Sequence, residues 1–267
     1  MKMNKVGFIG AGNIASAIIN GAFNSGYIMP EQIYLYDLDE SKLSCFAEKG
    51  VNLCSSEIEL TKVCDFVFLT IKPQIYESVL TKIAPYSNDT CFVDVAAGVS
   101  IDYVKSILGS DTHVVRVMPN TPLMYGKGAS ALVKVLPVSD CEFNFVKGFF
   151  ESCGVVSIVD EKLIDTVIAI SGSAPAYMMR FLNQFINFGV ENGMNSDEAT
   201  KLVLQTVVGC AKMIDTSDKD ISELIKMVTS PNGTTQAGLE MLDSENFDLS
   251  LKKCFDATVK RAKELSK

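Results

Sequence analysis

The sequence has one histidine, His113, and no C-x-x-C pair among its eight cysteines. Those cysteines, at 45, 54, 64, 91, 141, 153, 210 and 254, are scattered. A Cys/His metal set cannot be assembled from them, and no metal is expected. Cys64 and Cys91 sit in apolar stretches, where a free thiol packs as a small hydrophobe, so no disulfide framework is implied. No segment offers the ~18 consecutive apolar residues that a bilayer span needs, which excludes a membrane protein. The basic residues are not striped, and the formal charge is -8, so nucleic acid is not an expected partner. Met1 to Lys5 leads straight into a strand-like run with no apolar signal core, and the cytoplasm is the expected compartment.

What is present is ordinary for a globular chain: 267 residues with 48% hydrophobic and 21% charged. That length favours two domains. The first part alternates strand and helix signals. Val6 to Gly10 is a short apolar run ending at glycines, and Asn13 to Ala22 follows with a helical pattern of small residues. Ile33-Tyr34-Leu35-Tyr36 ends at Asp37, and a helix is predicted from Glu40 to Glu48 before Gly50. Val51 to Leu53 and Glu57 to Val63 form a shorter strand and helix. Phe66 to Ile71 is almost wholly apolar, the mark of a strand covered on both faces, and Pro73 blocks its continuation. Cys91 to Val95 and His113 to Met118 repeat the theme. Such alternation predicts an α/β fold, a Rossmann-type doubly wound sheet over residues 1–160.

Beyond Asp160 helical patterns replace strands, so residues 161–267 are expected to form an all-α domain. Ile164 to Glu191 carries apolar residues on nearly every face, including Ile170, Met178, Phe181, Phe185 and Phe188. A helix of that kind needs cover all round. A small helical domain supplies too little of it, which predicts an obligate homodimer.

Gly10-Ala11-Gly12-Asn13-Ile14-Ala15 fits G-x-G-x-x-[G/A] between the first strand and the first helix, where that pattern has mechanical meaning. Gly10 permits the turn, Gly12 lets the backbone approach a pyrophosphate, Ala15 allows close packing, and the N–H groups of the helix start, Ala11 to Ile14, face the phosphates. Asp37 ends the second strand, where a carboxylate accepts from the ribose 2′-OH and repels a 2′-phosphate. This leans toward NADH, although Asp37 could instead cap the helix at Glu40. Thr70, Ile71, Lys72 and Pro73 close the fourth strand at its carboxyl end, the crevice side of an open sheet, and are expected to touch the cofactor.

Ser230-Pro231-Asn232-Gly233 is turn chemistry, and Thr234 or Thr235 is a natural cap for a helix from Gln236 to Leu242. A helix start behind small residues is an anion seat.

Several segments together resemble the pyrroline-5-carboxylate reductase family. Arg116 to Pro122 is similar to its RxMPNTP stretch, Ala96-Ala97-Gly98 to its AAG turn, and Ser171 to Tyr177 to its SGSxPAY segment. Val228 to Leu239 resembles its C-terminal signature. The resemblance spans Val6 to about Leu265. It implies reduction of 1-pyrroline-5-carboxylate to L-proline by hydride transfer from NAD(P)H, with a helical C-terminal dimerisation domain. Ala96, Ala97, Gly98 and Asn120 would join the cofactor site. Backbone N–H groups of Gly233, Thr234 and Thr235 would hold the substrate carboxylate, the Thr235 hydroxyl would reach the ring nitrogen as the catalytic contact, and Ser230 would add a hydroxyl. The sequence departs from the family's pattern twice. Asn232 stands where many members have glycine, and Asp37 where NADPH-using members carry a small polar residue, so NADPH and NADH both remain open.

Hydride transfer to a protonated imine relies on positioning, which explains why no histidine or carboxylate dyad is demanded. His113 is read as a strand-end residue without a catalytic role. Two other readings compete. A β-hydroxyacid dehydrogenase of similar architecture would need a lysine in the first long helix of the second domain, and none occurs between Lys162 and Lys201. A non-enzymatic nucleotide-binding protein would have no use for the Ser230 to Thr235 loop. Assembly of dimers into rings, inhibition by proline and use of six-membered imines lie beyond the sequence.

Overall fold

The computed structural model describes residues 4–265. Met1 to Met3, part of the terminus read above, and residues 266–267, the end of the expected second domain, lie outside the described residues. Contacts divide the chain into one unit of Met1–Pro175 with Ala257–Lys267, and a second of Ala176–Asp256. Among the described residues no helix is long and apolar enough to cross a membrane.

The first unit is built on eight strands: β1 (Val6–Ile9), β2 (Ile33–Tyr36), β3 (Asn52–Leu53), β4 (Phe66–Leu69), β5 (Cys91–Asp94), β6 (His113–Met118), β7 (Gly128–Val133) and β8 (Gly154–Ile158). Their order in the sheet is β3-β2-β1-β4-β5-β6-β7-β8. Every pairing is parallel except β6 with β7. Because β1 is followed by strands on either side, β2 on one and β4 on the other, the strand order reverses there and opens a crevice at the carboxyl ends.

The helices of this unit are α1 (Asn13–Asn24), α2 (Ser44–Ala47), α3 (Glu57–Val63), α4 (Tyr76–Ile83), α5 (Ile101–Leu108), α6 (Asp140–Glu151) and α7 (Ile164–Val167). Successive strand residues face opposite sides. Phe8 and Phe68 therefore pack with Ile18, Ile19, Phe149 and Phe150 of α1 and α6. Ile9, Val67 and Leu69 pack on the other face with Leu80, Ile83 and Val104 of α4 and α5. Phe8 and Phe68 stack with centroids 4.5 Å apart. Burying each such ring is worth ~1.5–3 kcal/mol, so the central strands anchor both layers. Helix starts are fixed by side chains: Ser56, Ser100 and Ser139 each accept a backbone N–H at the head of α3, α5 and α6.

Two helical expectations are corrected. From Glu40 to Glu48 the chain makes a tight turn at Glu40–Lys42 and then only the short α2. The continuous helix expected from Ile164 to Glu191 is interrupted: α7 passes into a π-helical turn at Ile168–Gly172, and α8 (Ala174–Glu191) begins afresh. Pro175 causes the break, since it has no N–H for the Ser171 carbonyl four residues back and its ring crowds that carbonyl. The Ser171 carbonyl accepts from Asn120 Nδ2 at 3.4 Å instead.

The second unit comprises the rest of α8 with α9 (Ser196–Thr216), α10 (Ile221–Met227), α11 (Thr234–Ser244) and part of α12 (Phe247–Leu265). Asn195 caps α9 through the N–H groups of Asp197 and Glu198, and Asp220 with Glu223 forms a capping box at α10. Of its described residues only Ala199 and Leu224 are buried. Met178, Phe185 and Phe188 of α8 are 62%, 53% and 68% exposed in the single chain. A helix this apolar is stable in water only when something covers it.

Candidate functional site

The glycine turn between β1 and α1 is shaped by sterics. Gly10 sits at φ +102°, and a Cβ there would lie 2.8 Å from the Thr70 carbonyl oxygen, so only glycine fits. Gly12 differs, because a Cβ built on it meets nothing within 4 Å. Its bareness leaves room for a group that must come close to the backbone. Gly12 also heads α1 without any side-chain cap, and Ser16 N–H, bonded to Gly12 O at 2.9 Å, is the first in the helical ladder. The uncapped N–H groups before it, Asn13 and Ile14 among them, point out as an anion seat.

Asp37 follows the last residue of β2 and does more than wait for a ribose. Its Oδ2 accepts the Ala11 N–H at 2.7 Å, across the crevice, and its Oδ1 accepts the Asp39 N–H at 2.8 Å. Lys42 Nζ stands 3.4 Å away. The alternative reading, Asp37 as helix cap, is excluded: Asp39 is the cap, accepting from Ser41 N–H. Across from it, the buried Thr70 hydroxyl lies 2.9 Å from Ile9 O and 2.7 Å from Gly10 O, binding the end of β4 to the glycine turn.

These elements enclose a cavity of about 300 Å³, with Gly10, Gly12, Asp37, Thr70, Ile71 and Lys72 among its walls. Six of the expected cofactor residues are thus brought together. Ala11, Asn13, Ile14 and Pro73 adjoin it in sequence without lining it. Ala96, Ala97 and Gly98 follow β5, where Gly98 turns at φ +79°. Asn120 follows β6, and its amide is engaged with protein: Oδ1 accepts the Ala129 N–H at 2.9 Å, while Nδ2 lies 3.3 Å from the Ser171 hydroxyl.

Sequence reading missed the opposite wall. Tyr36, Glu57 and Lys82 line the same cavity from β2, α3 and α4. Lys82 Nζ pairs with Glu57 Oε1 at 2.9 Å. Burial alone would raise the Glu57 carboxyl, but hydrogen bonds led by that from Lys82 hold it below the usual range. Burial and Glu57 together push the Tyr36 phenol up. A polar residue at the head of α3 gave no sequence signal beyond ordinary helix chemistry. Lys42 and Lys82 are offset by Asp37 and Glu57 in the same walls, so among the described residues lining the cavity Lys72 is the cation left for an anionic ligand.

In the second unit the Ser230–Gly233 turn closes with Gly233 N–H on Ser230 O at 3.0 Å. Asn232 takes φ +60°, the left-handed conformation for which glycine is common and asparagine is tolerated. The cap expectation is corrected: α11 begins at Thr234, its N-cap is Gly233, and no side chain caps it. Thr234 and Thr235 are therefore first-turn residues, because the turn ends one residue earlier than the composition suggested. Gln236 reaches back to the Asn232 N–H at 2.8 Å, and Ala237 N–H is the first to bond within the helix, to Gly233 O at 3.2 Å. His113 begins β6, and its Nδ1 lies 2.8 Å from the Glu142 carboxylate, a structural tether to α6.

The sequence profile described as pyrroline-5-carboxylate reductase dimerisation matches residues 161–265, and one described as NADP oxidoreductase, coenzyme F420-dependent, matches residues 5–98. Pyrroline-5-carboxylate reductase 2 of Bacillus subtilis (strain 168) is 34% identical over 265 residues, covering 98% of this chain and 95% of that protein. Pyrroline-5-carboxylate reductase of Staphylococcus aureus (strain COL) is 37% identical over 269 residues, 98% of each. The crystal structure of Plasmodium falciparum pyrroline carboxylate reductase with NADP bound superposes with a TM-score of 0.94 at 31% identity over 100% of both chains.

Proposed function

This chain belongs to the pyrroline-5-carboxylate reductase family, and from that premise we propose how its residues divide the work of the reaction. It is an NAD(P)H-dependent oxidoreductase of proline biosynthesis: hydride passes from NAD(P)H to the imine carbon of 1-pyrroline-5-carboxylate protonated at nitrogen, the C=N π pair becomes the lone pair of that N–H nitrogen, and L-proline results.

The open space over Gly12 and the uncapped head of α1 fit a dinucleotide pyrophosphate. When bound, NAD(P)H supplies the hydride. On this chain, Gly10 to Ile14 hold the phosphates, Asp37 and Lys42 meet the adenosine ribose, and Thr70 to Pro73, Ala96 to Gly98 and Asn120 form the crevice wall. Asp37 favours NADH by repelling a 2′-phosphate, while NADPH remains usable because Lys42 stands beside that carboxylate. The sequence-based assignment of the Gly233 N–H to the substrate carboxylate does not fit its bond to Ser230 O, so the carboxylate is held by the backbone N–H groups of Thr234 and Thr235 with the Ser230 hydroxyl, and the Thr235 hydroxyl steadies the ring nitrogen. Positioning does most of the chemistry, and good near-attack geometry supplies up to ~7–11 kcal/mol.

The observation that carries this reading is the uncapped turn at Gly233: the N–H groups of Thr234 and Thr235, which precede the first helical bond at Ala237, form an anion seat in a chain whose other anion seat suits a dinucleotide. We place the boundary between the nucleotide-binding and helical substrate domains at residues 160/161. The protein works as a homodimer through the exposed apolar face of α8. A cytoplasmic location suits its eight free thiols. One assay tests the reading: NADH and NADPH oxidation with pyrroline-5-carboxylate, and piperideine-2-carboxylate as control. No oxidation with the five-membered imine would refute it.

A further inference from the structure

Beneath the cofactor crevice lies a buried polar chain that the chemistry above does not use. β4 and β5 are neighbours in the sheet, with Leu69 in register with Asp94. Tyr76 of α4 reaches between their ends, its hydroxyl 2.9 Å from Leu69 O and 2.6 Å from Asp94 Oδ1. Both side chains are buried, at 0% exposure.

The proton count decides what this chain is. A phenol has one proton and a backbone carbonyl has none, so two short oxygen–oxygen contacts require two protons. If Asp94 were ionised, Tyr76 could satisfy one contact, and the other would set two acceptors against each other. With a proton on Asp94 Oδ1, the carboxyl donates to the phenol and the phenol donates to Leu69 O. A second observation agrees. Oδ1 also accepts the Ala96 N–H at 3.0 Å, whereas Oδ2 is buried and meets no donor among the described residues. A carboxylate left half unpartnered in the interior is costly, and a neutral acid is less so.

The charged and titratable groups packed around Asp94 are few. From β6, Arg116 is in register with it. Arg116 Nη1 is committed to Glu161 Oε1 at 2.8 Å in the turn Glu161–Leu163, and its Nε has no partner among the described residues. From α4 comes Tyr76, whose phenol burial holds far above its ordinary range, so it does not give up its proton. Burial is the largest influence on Asp94; Tyr76, Ala96 and Arg116 favour the ion, and Glu161 opposes it.

The ends of the chain explain its use. Leu69 directly precedes Thr70 to Pro73, and Asp94 Oδ1 holds the N–H of Ala96, the first residue of Ala96 to Gly98. We propose that Asp94 is a positioning residue whose carboxyl proton completes a Leu69–Tyr76–Asp94–Ala96 chain that ties together the two crevice loops, so that loss of this proton weakens NAD(P)H binding. The functional half rests on the cofactor reading of those loops, and the protonation itself does not.

The two halves are measured separately on the full chain. Carbon-13 NMR of aspartate-labelled protein, with the Asp94 signal assigned by its loss in Asp94→Asn, reads the titration without cofactor. The expected midpoint is about 6. A midpoint in the ordinary aspartate range near ~3.9 overturns the proposal. Cofactor affinity is then read from nicotinamide fluorescence across the same pH range. In the unsubstituted protein it should weaken about fivefold as pH rises through that midpoint, a step seen in cofactor KM and not in kcat at saturating cofactor. Asp94→Asn should lack the step. Tyr76→Phe keeps the ring and removes the relay, so it should bind weakly at every pH, which carries the test if the asparagine variant fails to fold. A step of equal size in the asparagine variant overturns the positioning role. Failure to bind cofactor at any pH would instead strike the site assignment while leaving the NMR midpoint standing.

Discussion

Replacing Asp37 separates its two tasks. Its carboxylate is 13% exposed and accepts the Ala11 and Asp39 N–H groups. A negative charge within ~6 Å of a 2′-phosphate costs ~2–3 kcal/mol per unit charge at an effective dielectric of about 20, and under ~1 kcal/mol in water. Lys42, 3.4 Å from the carboxylate, offsets part of that. We take ~1–2 kcal/mol as the net, which is a shift of roughly fivefold to thirtyfold in the ratio of kcat/KM for NADPH over NADH. Asp37→Ser should give that shift. It also strips Ala11 of its acceptor, a loss of ~1–3 kcal/mol that falls on both cofactors and cancels in the ratio. Asp37→Asn removes the charge but keeps an oxygen for Ala11, so it should shift the ratio similarly while losing less activity with NADH. Initial rates with both cofactors on all three proteins decide the matter. If the ratio stays put in both variants, Asp37 does not read the ribose and serves the glycine turn alone.

Gly12→Val should leave thermal stability within ~1 kcal/mol, since its Cβ meets open space, yet raise cofactor KM at least about tenfold; an unchanged KM would mean nothing approaches there. Gly10→Ala forces a Cβ against the Thr70 carbonyl at φ +102°, and a melting curve should show a loss of ~2 kcal/mol or more. Thr235→Ala should lower kcat roughly tenfold to a hundredfold with little change in cofactor affinity, read in steady-state kinetics, as expected when one positioned hydrogen bond of ~1–3 kcal/mol is removed. Glu161→Gln leaves the buried Arg116 guanidinium without its counter-charge, and differential scanning calorimetry should show a loss of ~3–5 kcal/mol. The Asp94 carboxyl, held at about 6 in the fold, costs stability as pH rises from ~4 toward that value and adds no further cost above it.

The glycine turn and the first six strands were legible because their signals are local: a turn that only Gly10 can make, and short, largely apolar runs, four to six residues long except for the two-residue β3. β7 and β8 were not. Gly128–Val133 reads as small residues before an ordinary apolar triplet, and its place is set by pairing with Met118 and Gly154, far off in sequence. The break at Ile168–Gly172 could have been inferred from Pro175, had its missing N–H been weighed above the apolar periodicity. In the site, Asp37 was recognised for its position, but its bond to Ala11 joins residues separated by 26 positions. Glu57 and Lys82 belong to helices that carry no motif. Asp94 looked like an ordinary strand residue, because a proton shared with Tyr76 leaves no trace in one sequence.

The last turns of α12 have a consequence for how the chain is made. Residues from Ala257 onward belong to the first unit, where Ala262 is buried and Leu265 stands against Gly98, 2.9 Å from where a Cβ would be. The first contact unit is therefore discontinuous in sequence. A ribosome that has finished its eight strands still holds the piece that closes over the Ala96–Gly98 loop, and the intervening helices must emerge first. Completion of this unit is expected only once α12 has emerged, so a nascent chain stalled at residue 256 should remain open to protease at that loop while the full chain resists.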